Sequence, residues 1–192
     1  MKATLTFFGL AVASLALGAC GGGGGEGGRT PLASPAVAET PPTRSAPTSP
    51  TVTPEAAAIQ DFAQAYVELT EKLNPEIKEL EADWSEAVED EDVEAQASLA
   101  AEIRDVYEAG HEELLGLEVP PEIEVEYAAL VAANLKTVTF WGQVALALRN
   151  ENPTLLSQLA VQFPEVTAEA LAARDLLRKA VGLPPGELPG QD

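Results

Sequence analysis

Apolar side chains recur every three or four positions over residues 54–181, and this spacing predicts amphipathic helices. Four segments carry such a stripe, at residues 59–88, 93–114, 123–148 and 156–181. No stretch of this region shows the alternation of apolar and polar residues that is typical of a strand. The chain is therefore expected to be helical throughout this region.

Residues with strong preferences for helix ends lie between the stripes. Asp90 and Asp92 are suitable N-caps for the second helix. Asn152 followed by Pro153 is typical of a helix start, because a proline at the first helical position loses no hydrogen bond. Gly182 and the prolines that follow it mark the end of the fourth helix.

Short connections between long helices predict antiparallel neighbours, and hence an all-α, up-down-up-down four-helix bundle over residues 54–182. About 130 residues are enough to bury a substantial core. Pro75 and Pro164 interrupt the first and fourth stripes. We expect a kink at Pro164. Asn74 before Pro75 is also a good N-cap, so a kink and a break both remain open there.

The chain has one cysteine, Cys20, which lies between an uncharged apolar stretch and a run of five glycines. A single basic residue, Lys2, precedes the apolar stretch, as in a signal peptide. The order Leu17, Gly18, Ala19, Cys20 resembles the lipobox of bacterial lipoproteins, in which an aliphatic residue and two small residues precede an obligatory cysteine.

The resemblance implies that residues 1–19 are a signal peptide, removed before Cys20 by a type II signal peptidase. It also implies a diacylglycerol on the Cys20 thiol and a fatty acyl group such as palmitate on the new amino terminus. Two or more lipid chains give stable anchoring, so the mature protein is expected on a membrane, extracytoplasmic, at the cell surface or in the periplasm.

Two other interpretations of this region remain open. Ordinary cleavage between Gly18 and Ala19 would release a secreted protein. The second interpretation is an uncleaved transmembrane anchor. The apolar stretch of 17 residues is at the lower limit of the roughly 17 to 25 residues that span a bilayer.

Residues 20–53 are rich in Gly, Pro, Ser and Thr and predict a disordered linker, because they cannot bury enough apolar surface to fold. As a coil this linker would reach roughly 30 Å. Residues 183–192 are expected to be a disordered tail. The chain has 31 acidic and 11 basic side chains. Nucleic acid is therefore not an expected partner, since phosphate binding needs a basic surface.

Candidate chemistry is sparse. Glu108 and His111 have the Glu-x-x-His spacing of di-iron bundles, but such sites need a second pair, and the chain has one histidine. Asp90 and Asp92 belong to an acidic turn that lacks the glycine and glutamate of a calcium loop. We therefore expect His111 to lie at the edge of the apolar stripe of the second helix and the acidic turn to be solvated. Metal binding is the weaker hypothesis at both places. Asn134 is expected to face the core, where a buried asparagine more often fixes the register of the helices than binds a ligand.

The segment LLGLEVPPEIEVEYAALV and the ending LRKAVGLPP resemble the uncharacterised helical lipoproteins of bacterial envelopes, which implies a fold without an activity. The leading hypothesis is a membrane-tethered, non-enzymatic bundle with no catalytic residue and no cofactor. It would bind or space an unknown envelope protein or small ligand, as a monomer held to membrane lipid through Cys20. The alternative is a ferritin-like or cation-binding bundle.

Overall fold

The protein is described by a computed structural model over residues 53–185. The predicted signal peptide at 1–19, the lipidation site Cys20 and all but the last residue of the predicted linker lie outside the described residues. Residues 186–192 of the predicted tail also lie outside them. No helix of the described part is long and apolar enough to cross a membrane.

Four helices pack against each other: α1 (Pro54–Glu89), α2 (Val93–Leu115), α3 (Glu124–Arg149) and α4 (Pro153–Ala180). A short 3-10 turn, Pro121–Ile123, leads into α3. Residues 53–185 contain no strand. The predicted all-α four-helix bundle is confirmed.

Consecutive helices are close neighbours in the bundle, whereas the backbones of α1 and α4 approach each other less closely. An aromatic cluster crosses the centre. The ring of Trp84 in α1 meets the ring of Trp141 in α3 edge to face, with 5.3 Å between centroids. Phe140 and Phe163 extend the cluster to α4. The core therefore ties α1 to α3 and α4 through side chains.

The α1–α2 and α3–α4 hairpins close through three-residue turns of the same construction, residues 90–92 and 150–152. The middle residue of each turn is a glutamate in the left-handed region, Glu91 with φ 55° and Glu151 with φ 47°. In each turn the third residue's N–H donates to the carbonyl oxygen five residues earlier, at 3.0 and 2.9 Å. These bonds satisfy carbonyls that a helix end leaves unpaired.

The third residue of each turn caps the following helix. The Asp92 carboxylate accepts a hydrogen bond from the N–H of Ala95 at 3.0 Å, and the Asn152 side chain accepts one from Leu155 at 3.1 Å. The predicted N-caps Asp92 and Asn152 are confirmed, whereas Asp90, the other candidate, is the C-cap of α1. Gly182 follows the end of α4 and also lies in the left-handed region, with φ 75°.

Replacing Glu151 with glycine is expected to raise the free energy of unfolding by about 0.5–1 kcal/mol. The left-handed conformation costs a residue with a Cβ about 1–2 kcal/mol, and the extra entropy of glycine in the unfolded chain offsets part of that gain. Glu91→Gly should give a similar gain, and Glu151→Ala, which keeps a Cβ, should give none. Urea denaturation measures all three. Equal effects of glycine and alanine would contradict the backbone explanation.

Both internal prolines lie within continuous helices, Pro75 in α1 and Pro164 in α4. Each proline leaves one carbonyl oxygen of the preceding turn without its usual donor. Both prolines are exposed, so water can reach that side of the helix. Because α1 is continuous through Pro75, the break left open there is excluded. The kink expected at Pro164 stays a prediction.

Candidate functional site

The residues singled out for metal chemistry lie in two places, one pair on α2 and the other in the α1–α2 turn. Glu108 is exposed and His111 is half-buried on α2. Asp90 and Asp92 are exposed in the α1–α2 turn, where Asp92 caps α2. Among residues 53–185 no three His, Cys, Asp or Glu side chains gather as a metal site would require. The described part of the chain therefore gives the metal hypothesis no support.

The charges of the bundle are segregated between its two hairpins. Residues 53–126, which contain α1 and α2, carry 23 acidic and three basic side chains. Residues 127–185, which contain most of α3 and all of α4, carry four acidic and five basic side chains. One side of the bundle is thus strongly negative, while the other is close to neutral. Such a field repels acidic partners from one side only.

A groove of about 500 Å³ runs between α3 and α4 on the nearly neutral side. Its rim includes Leu135, of which 51% is exposed, and its floor includes the buried Phe140. Lys136 donates a hydrogen bond across the groove to Glu169 as an ion pair. The remaining lining residues are small, aliphatic, amide or hydroxyl side chains and one glutamate: Ala132, Thr139, Gln143, Gln162, Glu165 and Val166.

The interior contains polar side chains that the helical pattern did not predict. The buried polar and charged residues of α1 and α4 are Thr70, Asn74, Glu81, Thr167, Arg174 and Arg178. A sequence signal did exist, because Glu81 stands four residues after Ile77 and three before Trp84, on the apolar stripe. Arg174 and Arg178 occupy the equivalent face of α4.

The two buried arginines lie near the end of α4 and have hydrogen-bonded guanidinium groups. Arg174 donates from Nε and Nη2 to a carboxylate oxygen of Asp175, at 3.1 and 3.0 Å. Arg178 donates from Nε to the carbonyl oxygen of Pro184 at 2.6 Å, which holds the segment after α4 against the bundle. Cations near a helix C-terminus also interact favourably with the helix dipole.

Two buried tyrosines face this polar interior. Burial raises the pKa of Tyr66 to about 12, although the nearby Arg178 and Arg174 partly oppose the rise. Burial raises the pKa of Tyr107 well above its usual value, and the Glu81 carboxylate adds to that rise. Both phenols therefore stay protonated near neutral pH and can donate hydrogen bonds.

Two small cavities adjoin these tyrosines. The first, of about 10 Å³, lies among α1, α2 and α3 and has Tyr66, Tyr107 and Asn134 in its wall. The second, of about 30 Å³, lies among α2, α3 and α4 and again has Tyr107 and Asn134 in its wall, together with Arg174. Asn134, expected to face the core, is half-buried at the junction of the two cavities.

Comparison with known protein families, with curated proteins and with solved structures finds no match for this chain.

Proposed function

We propose that the protein is a membrane-tethered, extracytoplasmic lipoprotein whose helical bundle is a non-enzymatic binding or scaffold module of the cell envelope. The observation that carries the tether is the order Leu17, Gly18, Ala19, Cys20, which matches a lipobox and ends in the chain's one thiol. Lipid on that thiol would hold the bundle at a membrane through residues 21–53. A thiolate is the nucleophile that forms a thioether readily.

The α3–α4 groove supports a binding role on the nearly neutral side of the bundle. Its occupant in this proposal is an uncharged segment of an envelope protein that carries an aliphatic or aromatic side chain. Such a segment would contact Leu135 and the floor at Phe140 without approaching the acidic hairpin. The acidic side chains of α1 and α2 repel most acidic protein surfaces from the opposite side.

The composition of the groove supports binding over catalysis. Lys136 and Glu169 already pair with each other across it. Its other lining groups are mainly amides, hydroxyls and aliphatic chains, which are suited to positioning a partner.

Replacing Cys20 with serine is expected to move the protein from the membrane fraction to the soluble fraction, because a hydroxyl does not accept the lipid. Mass spectrometry of the native protein should find a diacylglycerol on an N-terminal Cys20. Ser45→Ala, a change within the predicted linker that leaves the thiol in place, is the control and should stay with the membrane. An unmodified native terminus at Ala19 would contradict the tether.

A photo-cross-linking side chain at position 135 is expected to give one discrete adduct in intact cells. The same side chain at position 79, on the exposed acidic face of α1, should give none, because the proposed partner is uncharged and acidic surfaces are repelled from that face. Immunoblotting of the two variants compares them at equal expression. Adducts from both positions, or from neither, would contradict the α3–α4 face as the binding surface.

A further inference from the structure

Three residues that line the two cavities each carry a buried polar atom with no hydrogen-bond partner within residues 53–185. These atoms are the hydroxyl oxygens of Tyr66 and Tyr107 and the side-chain carbonyl oxygen of Asn134. Tyr66 is fully buried and Tyr107 is 5% exposed. A buried polar group without a partner costs about 1–3 kcal/mol, and three such residues line the first cavity.

The cavities have the size of one or two water molecules. A water needs about 10–15 Å³ of such space and two to four polar partners. The first cavity, of about 10 Å³, suits one water, and the second, of about 30 Å³, suits about two. Because Tyr107 and Asn134 belong to both walls, waters in the two cavities would share partners.

The chemistry of the three groups selects water over an ion. Both phenols can donate hydrogen bonds, whereas the carbonyl oxygen of Asn134 accepts hydrogen bonds and cannot donate them. Water can accept from Tyr66 and Tyr107 and donate to Asn134 at the same time. A halide cannot donate to the carbonyl, and a metal cation cannot accept from the hydroxyls.

Neighbouring hydroxyls do not compete for these roles. Thr70 donates to the carbonyl of Val67 at 2.8 Å, and Thr137 donates to the carbonyl of Ala133 at 3.2 Å. The remaining wall of the first cavity is aliphatic: Leu69, Leu73, Ile77, Val106, Gly110 and Leu114.

We propose that the two cavities form one hydrated site, in which buried water molecules bridge the hydroxyls of Tyr66 and Tyr107 to the side-chain carbonyl of Asn134. This site joins α1, α2 and α3 through hydrogen bonds, at a level of the bundle away from the aromatic cluster. It is independent of the tether and of the α3–α4 groove.

The thermal stability of phenylalanine variants of the full-length chain tests the site through the sign of the change. If water bridges the hydroxyls, Tyr66→Phe and Tyr107→Phe each remove a hydrogen bond, and Tm at pH 7 should fall by about 2–6 °C. The double variant should lose less than the sum, because both hydroxyls donate to the same water. In a dry cavity, removing an unpaired hydroxyl should leave Tm unchanged or raise it.

Tyr127→Phe is the matched control, because the Tyr127 hydroxyl donates directly to the carbonyl of Leu114. Its Tm should fall by a similar amount whether or not the cavities hold water. A high-resolution crystal structure should also show density within about 3.2 Å of the three atoms. Phenylalanine variants as stable as the native protein, cavities without density, or density too strong for oxygen would each overturn the proposal.

Discussion

Replacing Trp141 with alanine is expected to lower the free energy of unfolding by about 3–5 kcal/mol, the usual range for a buried aromatic residue. The Trp141 ring lies edge to face with the rings of Trp84, Phe140 and Phe163, at centroid distances of 5.3, 5.7 and 6.4 Å. These contacts join three helices, so no single neighbour can move to fill the cavity. The total free energy of unfolding of a domain of this size is about 5–15 kcal/mol, so the substitution removes a large part of it.

Guanidinium denaturation followed by circular dichroism measures this loss, because the substitution removes one of the two tryptophan fluorophores. The control is Leu146→Ala on the same helix, where 55% of the side chain is exposed. We expect that control to change stability by about 0.5 kcal/mol or less. A Trp141 variant no less stable than the Leu146 variant would show that the aromatic cluster does not hold the bundle together.

Raising the pH above 10 is expected to destabilise the bundle steeply through Tyr66 and Tyr107. The pKa of each phenol is raised in the folded state, to about 12 for Tyr66 and well above its usual value for Tyr107, mainly because burial disfavours the phenolate. Above pH 10 the unfolded chain loses these protons while the folded chain keeps them. The stabilisation is therefore complete below pH 10 and is lost as the pH rises through the folded values.

Above pH 10 the free energy of unfolding should fall by about 1.4 kcal/mol per pH unit for each tyrosine that stays protonated in the folded state. For Tyr66 this fall continues to about pH 12. Urea denaturation at pH 9, 10 and 11 measures it, and absorbance at 295 nm reports phenolate formation. The Tyr66→Phe, Tyr107→Phe double variant should lose most of the slope. An unchanged slope in that variant would assign the alkaline transition to other groups.

The ends of the helices could be predicted from the sequence because capping is a local interaction. Asp92 and Asn152 each bind an N–H three residues ahead, so their roles depend only on neighbouring residues. The four apolar stripes could be predicted for the same reason, since their spacing reports which face is buried. The continuity of α1 at Pro75 could not be predicted from the sequence, because it depends on the packing of both halves of the helix.

The polar interior could not be predicted, because its burial depends on contacts between distant helices. Glu81, Arg174 and Arg178 are charged, and charged residues are usually exposed. Their place on the apolar stripe was the signal, but only the packed structure shows that the stripe is buried at those positions. The junction of the cavities at Asn134 likewise requires residues from several helices at once.

The two three-residue turns bear on the rate at which the chain folds. Each turn brings the ends of two long helices together across a very short loop, for which the entropy of closure is small. Contacts within each hairpin are therefore largely available before the eight-residue connection between α2 and α3 has to close. Proteins with such local contacts fold in microseconds to milliseconds. The hairpins would form first, and their docking along α2 and α3 would complete the fold.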